Sequence, residues 1–416
     1  MVLRATETTR TLAPGVHLLP TQGNSLGIET DAGVVVIDAG PGGGVTAGMI
    51  EALRTFTDAP VRAIVYSHGH VGYNTAVPMW NDHAEGRGDE PPEVIANRRV
   101  LDRYARYRET KGLQQLLTGF QFGVPPARLE RLLNLTDPNT TFDDELTVDD
   151  PNRPIILRWA PSETDDALML WLPKQGILFG GAATPGSSIP NIGTPLRTQR
   201  FTIRWAETLE HMEALGAEIL VQEFGPVVEG GRAVSNQLTT MAQALRWVRS
   251  EVVERMNRGM IDIEIINDLD YPTELFDQPY MAEVYGARDY IVRDLYREEN
   301  GWWGSRNPTD LHPAEPDHVA SAIFGAVDPE RVIAHATSVA EAGDLRTALA
   351  VIDLVALAPG DDATITKARL LKADWCEQLA KKTRVFVSRS LYSSSAALLR
   401  NGATRWSQSG EDGPSS

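Results

Sequence analysis

Ser67-His68-Gly69-His70-Val71-Gly72-Tyr73-Asn74 decides how this chain is read. It follows an apolar run, Val61 to Tyr66, whose length and β-branched content predict a buried strand. Two histidines one residue apart, on a loop leaving a strand, can aim both rings at one ion. Neutral imidazole is the commonest protein ligand for zinc and for several other transition metals. The same two residues also serve as hydrogen-bonding groups of a polar pocket, so the stretch alone marks a site and leaves its occupant open.

Outward from that loop, the N-terminal side reads as strands. Val16 to Leu19, Ser25 to Glu29 and Val34 to Asp38 are short apolar runs separated by turns with Gly and Asp. Asp38-Ala-Gly-Pro-Gly-Gly-Gly44 then opens a helix over Thr46 to Phe56. Gly42-x-Gly44-x-x-Ala47 fits a dinucleotide loop only loosely. Pro41 stiffens the turn, and the next strand ends in Tyr66-Ser67 with no acidic ribose partner, so a plain strand-to-helix turn is the better reading.

On the C-terminal side, Asn81 to Pro92 reads as a polar loop and Val94 to Asn97 as the end of a strand. A helix is predicted over Arg98 to Leu117. Its arginines at 98, 99, 103, 106 and 108 form either a solvated face or the entry to an anion pocket. Residues 135 to 153 read as acidic loop, Ile155 to Trp159 as a strand, and Ala167 to Leu172 with Gly176 to Phe179 as a hairpin. A helix over Arg200 to Leu215 precedes a last strand, Glu218 to Val221. From about Ser235 the texture is helical, with long helices over 235 to 258 and Tyr280 to Glu298. Stacked helical hairpins follow over 317 to 401, where Ala340 to Ala350 and Pro359 resemble a tetratricopeptide-type helix pair. Residues 402 to 416 are polar and rich in Gly and Ser, the composition of a disordered tail.

The 416 residues leave room for two or three domains with proper cores. A net charge of −17 argues against a nucleic-acid binder, whose footprint would be basic, while still permitting a local basic pocket for an anionic small molecule. The single cysteine, Cys376, excludes an intramolecular disulfide and any cysteine cluster for zinc or iron–sulfur. The N-terminal MVLRATETTRTL has no apolar signal core and no apolar run reaches membrane-spanning length, so no membrane association and a cytoplasmic location are the expectations.

The strands, the His-x-His loop, the second strand block and the helical C-terminal half together resemble a metallo-β-lactamase-fold protein of the alkyl sulfatase family. Further markers are Tyr285-Gly286, Tyr296, Gly301-Trp302-Trp303 and Asn307-Pro308. The resemblance covers roughly residues 10 to 400. It implies an α/β fold: an αββα sandwich over residues 1 to 234, then an all-α dimerisation domain over 235 to 401, and hence a homodimer.

Carried over one residue at a time, the family motif His-x-His-x-Asp-His is half present. His68 and His70 fill its first two positions, while Gly72 and Tyr73 stand where the aspartate and the third histidine belong. The resemblance assigns a glutamate ligand to Glu163, the bridging acidic position to Ala182 and the last histidine to Phe224. It thus implies a metal set of His68, His70 and Glu163 with the second half of a dinuclear site gone, since Gly, Ala and Phe offer no side-chain ligand. One divalent metal ion (zinc, or iron or manganese) and a metal-free site both remain open. The resemblance also implies that Asn191, Thr194, Arg197 and Arg200 contact an anionic group of the substrate, and that Tyr290 stands where the family has a histidine serving the leaving group. Tyr73 and Tyr290 are then candidate catalytic phenols in a tyrosine-lined pocket.

The leading functional reading is an alkyl-sulfatase-like hydrolase of a small, anionic ester or sulfate ester, acting through a mononuclear metal site. The alternatives are a repurposed non-hydrolytic enzyme (a lyase, isomerase or non-haem metal oxygenase), and a non-catalytic dimeric binding protein on a decayed metallohydrolase fold.

Overall fold

The computed structural model of the protein describes residues 8–123 and 130–408. Within these the chain packs as two compact units. The first holds residues 8–111 and 130–302, and the second 112–123 and 303–408.

The first unit is built on two sheets. One has seven strands in sequential order, β1 (Arg10–Ala13), β2 (Val16–Pro20), β3 (Asn24–Thr30), β4 (Gly33–Ile37), β5 (Val61–Val65), β6 (Glu93–Asn97) and β7 (Thr140–Phe142). β1 to β4 are antiparallel neighbours, whereas β4 to β7 run parallel through helical crossovers. The other sheet has six strands: β8 (Glu145–Val148), β9 (Ile155–Trp159), β10 (Leu168–Leu172), β11 (Ile177–Gly181), β12 (Ile219–Gln222) and β13 (Val228–Glu229).

Alternation along the strands assigns side chains to layers. In β4, Val35 and Ile37 face the inter-sheet core with Leu18, Ile28, Leu157, Leu170 and Phe179. Val34 and Val36 face the opposite way, onto Met49, Leu53, Trp80 and Tyr104 of the helices that cover the sheet. Across the second sheet, Leu178 and Leu220 pack against Trp205, Leu238, Leu245 and Leu295 of three further helices, Thr202–Glu213, Gly231–Asn257 and Arg288–Asn300. The result is the four-layer α/β/β/α arrangement. Packing draws its division at 302/303 rather than at the composition change near 235, because helices Gly231–Asn257 and Arg288–Asn300 bury their apolar faces on the second sheet.

The second unit is helical. Its core joins Ile333 and Ala336 of helix Pro329–Glu341, Leu345 and Ile352 of helix Leu345–Ala356, and Trp375 of helix Ala363–Lys382. Asp328, Asp344 and Asp362 cap these three helices by accepting from the backbone N–H of Arg331, Thr347 and Thr364.

Several local expectations need correction. Asn81 to Pro92 is not a loop: helix Val77–Arg87 runs through it, carrying Val77, Trp80 and Ala84 on its buried face and ending on Gly88 in the left-handed region (φ 76°). The polar residues between those three hid the period. Residues 135 to 153 contain β7 and β8. The arginine-rich helix is two helices, Arg99–Glu109 and Lys111–Phe122, and the one placed over Tyr280 to Glu298 spans Arg288–Asn300. In the C-terminal tail, Trp406 packs at a tilt against Phe120 with ring centroids 4.4 Å apart; residues 409–416 lie outside the described residues.

Candidate metal centre

The His68 loop leaves the C-terminal end of β5 and is clamped from two sides. From β4, Asp38 ends the strand in the left-handed region (φ 55°), which turns its carboxylate toward the loop. Its Oδ1 accepts from the Ser67 backbone N–H (2.8 Å) and from Asn74 Nδ2 (3.1 Å), and its Oδ2 accepts from the Ser67 hydroxyl (2.6 Å). Asn74 closes the loop by donating to the His68 carbonyl (3.2 Å) and accepting from the Ala39 N–H (2.9 Å). From the second sheet, Asp166 accepts the Gly69 N–H at 2.6 Å and is held by Arg103 Nε at 2.7 Å. Gly69 is required here: a Cβ would stand 2.5 Å from Asp166 Oδ2.

These contacts fix the His68 tautomer. Ser67 has given its only proton to Asp38, so at the 2.9 Å contact with His68 Nδ1 the hydroxyl oxygen accepts and the ring donates. The Nε2 lone pair is left over. That atom is buried and has no hydrogen-bond partner. Its ring lies 4.8 Å from that of His70, centroid to centroid. Burial lowers the His68 pKa against the raising influence of Asp38. Burial, with His68, Arg103 and Arg200 nearby, places His70 well below the ordinary range. Both rings are therefore held neutral, the form that binds metals.

Glu163 completes the set. Its Oε1 accepts from Asn191 Nδ2 at 2.5 Å and lies 3.3 Å from Arg200 Nη1, while Oε2 faces His70 Nδ1 at 3.5 Å. One donor atom each from His68, His70 and Glu163 lies within 4.8 Å of the others. An unpartnered buried imidazole nitrogen, a second neutral imidazole and a carboxylate with one free oxygen fit a divalent ion of the zinc, iron or manganese kind.

The residues assigned to substrate contact are tied to Glu163. Thr194 donates to Asn191 Oδ1, Arg200 Nη1 donates to the Asn191 carbonyl, and the Arg200 N–H donates to Asp294 at 3.0 Å. Arg197 donates to the Leu196 carbonyl (3.0 Å) and acts electrostatically on His70 and Tyr285. Asn191, Thr194 and Arg200 thus form the scaffold that aims Glu163.

On the other side of His68, Tyr73 lies 4.4 Å from the imidazole, ring to ring, and its hydroxyl donates to Glu223. Burial first, then Glu223, pushes the phenol well above its usual pKa. Burial first, then repulsion from Glu163, pushes Glu223 well above the carboxylate range. Gly72, Ala182 and Phe224 contribute no donor, and among the described residues His68, His70 and Glu163 are the one set of potential metal ligands brought together.

Two site residues escaped the sequence analysis. Glu223 stands next to the Phe224 position, inside the Gln222-Glu223-Phe224-Gly225-Pro226 turn, and no spacing rule singles it out. Tyr285 was read only as a family marker. It is electrostatically coupled to Arg197, Glu163, Arg200 and Glu223, and burial pushes its pKa up to about 12. Tyr290 sits at the start of helix Arg288–Asn300, where its backbone carbonyl lies so close to Gly193 that a Cβ there would approach it to 1.9 Å.

The two sheets and this loop agree with two family models. Residues 18–222 match the metallo-beta-lactamase superfamily, and residues 262–402 match the alkyl sulfatase dimerisation family. The chain belongs to the alkyl sulfatase group of the metallo-β-lactamase superfamily. Its superfamily relatives include a linear primary-alkylsulfatase of Pseudomonas sp., 26% identical over 71% of this chain and 59% of the relative. A second is an (R)-specific secondary-alkylsulfatase of Pseudomonas sp., 24% identical over 92% of this chain and 61% of the relative. The chain therefore spans about three fifths of the length of these relatives. The structure of the stereoselective inverting sec-alkylsulfatase Pisa1 from Pseudomonas sp. superposes with a TM-score of 0.81 at 21% identity, covering 95% of this chain and 66% of that one, and shows the shared fold. Among the described residues no helix is long and apolar enough to cross a membrane.

Proposed function

We propose that the protein is a hydrolase of small anionic esters, sulfate esters foremost, working through one metal ion held by His68, His70 and Glu163. The observation that carries this reading is the buried, unpartnered Nε2 of His68, kept as a lone pair by the Asp38–Ser67 relay. The alkylsulfatase relatives support sulfate esters as the substrate class. A bound divalent ion supplies Lewis-acid polarisation and a water acidified toward neutral pH.

The chain's own residues do the rest. Asp38 and Ser67 hold the His68 proton on Nδ1. Asn191 and Arg200 occupy Oε1 of Glu163 and turn Oε2 toward the histidines. Arg197 places positive charge beside the site for the ester's oxyanion. Tyr73 and Glu223 share a proton on the side where Gly72, Ala182 and Phe224 offer no ligand, which argues against a two-metal clamp. Because Tyr73 and Glu223 form a buried, proton-sharing pair beside His68, a non-hydrolytic reaction using that pair is the second reading; it predicts turnover that survives chelation.

Metal content by inductively coupled plasma mass spectrometry, on wild type and His68→Ala, tests the site. About one zinc, iron or manganese per chain in wild type and none in the variant is the expected result. Two ions per chain, or none in either protein, refutes it. The helical half, matching a dimerisation family, supports a homodimer, to be checked by light scattering against a 45.6 kDa chain.

A further inference from the structure

We propose that the cleft beside the metal ligands binds a second anionic group, a carboxylate, phosphate or sulfate carried on the far end of the substrate, through Arg106 and Arg204. This deepens the hydrolase reading and rests on it for the identity of the reacting ester. The cleft, about 290 Å³, has Glu163 and Arg200 in its lining, while His68 and His70 lie outside it, so it adjoins the proposed metal set on the Glu163 side. That volume lies near the lower end of the range for small-molecule sites, which suits a compact metabolite rather than a polymer.

The cleft contains four arginines, and two are already committed. Arg103 is held by Asp165 (2.5 Å) and Asp166 (2.7 Å), and Arg200 by Glu163 and the Asn191 carbonyl. Arg106, on helix Arg99–Glu109, and Arg204, on helix Thr202–Glu213, have side chains that make no hydrogen bond or close ion pair with any described residue, although Arg204 acts electrostatically on Glu298. Each lies against a ring instead. Arg106 Cζ is 5.2 Å from the Tyr107 centroid, and Arg204 Cζ is 4.6 Å from that of Phe201. Stacking limits the freedom of a guanidinium while leaving its five donors unused, so less entropy is lost when an oxyanion is captured.

Charge points the same way. The lining holds four arginines against Asp102, Glu163 and Asp165, in a chain of net charge −17. A cationic cleft in an acidic protein concentrates anions locally. An unbranched alkyl tail would use Phe201 and Pro161 and leave both free guanidinium groups without partners.

Calorimetric titration of the full, zinc-loaded chain tests this with matched probes: hexyl sulfate against 6-sulfooxyhexanoate, and butyl sulfate against 4-sulfooxybutanoate. The carboxylated probe of at least one pair is expected to bind about tenfold tighter, the equivalent of one charge-assisted hydrogen-bonded contact. Arg106→Ala and Arg204→Ala are expected to bring that preference to within about twofold of parity, with Arg204→Lys retaining part of it. Equal binding of both probes in wild type, tighter binding of the plain alkyl sulfates, no binding of either, or a preference untouched by both alanine variants overturns the proposal. Turnover separates the two readings. Hydrolysis without a carboxylate preference removes the cleft proposal alone. An Arg106- and Arg204-dependent preference without hydrolysis removes the hydrolase reading alone.

Discussion

The two sides of the His68 ring are furnished in opposite ways. On one side, His68, His70 and Glu163 converge, with donor atoms within 4.8 Å and an outer layer of Asp38, Ser67, Asn191 and Arg200 that orients them. On the other side, Gly72, Ala182 and Phe224 offer nothing to a cation, and Tyr73 closes onto Glu223. The difference shows what keeps a buried polar cluster stable. A carboxylate buried without a metal needs a proton or a partner, and the Tyr73 hydroxyl is that partner for Glu223. A buried imidazole nitrogen left without one, as in His68, is a cost that the proposed metal ion would offset.

The comparison can be broken most severely at His68. His68→Ala removes a ligand and the atom that the relay orients; loss of bound metal and a drop in ester turnover of about a thousandfold or more are expected. Retained turnover on an ester panel would move the chemistry to the Tyr73 side.

Next in size is Asp166→Ala. It leaves Arg103 buried without its inner partner and releases the Gly69 N–H, at an expected cost of about 3–5 kcal/mol in denaturant unfolding. A loss under about 1 kcal/mol would show that the loop is held by other means.

That prediction turns on an ion pair the sequence did not reveal. Nothing in the sequence singles out Asp165 and Asp166, and Arg103 is one of five arginines on a predicted helix whose faces the spacing does not tell apart. The partners are 63 positions apart, and only the folded second sheet brings them together. The fold itself was far more legible. The apolar runs at Val34 to Asp38 and at Val61 to Tyr66 predicted strands, and both are strands, paired in parallel and covered on both faces. His68 and His70 were legible for a local reason, since two ligands one residue apart need no tertiary information. Glu163 is visible only through the resemblance, and Glu223 not at all, because a lone glutamate in a turn looks like any solvent-facing carboxylate until its burial is known. Helix Val77–Arg87 was lost to its polar residues, although Pro78 and Gly88 bracket it as start and stop.

A smaller effect is expected for Ser67→Ala. The His68 proton is then free to sit on either nitrogen, and metal affinity should fall about 10- to 100-fold in competition with a chelator, with stoichiometry at saturation still one. Unchanged affinity would mean that the Asp38–Ser67 relay does not set the tautomer.

Smallest is Tyr73→Phe. It removes one hydrogen bond and leaves Glu223 buried, for an expected loss of about 1–3 kcal/mol with metal stoichiometry unchanged. A second ion bound in this variant would show that the tyrosine, rather than the missing ligands, keeps that side empty of metal.

The most direct test of the central claim is anomalous diffraction at the absorption edge of the bound metal, from crystals of protein reconstituted with excess zinc. The account predicts one anomalous peak per chain, within bonding distance of His68 Nε2, His70 and Glu163 Oε2, and none between Tyr73 and Glu223. Two peaks flanking His68, or no peak against its Nε2, would contradict it.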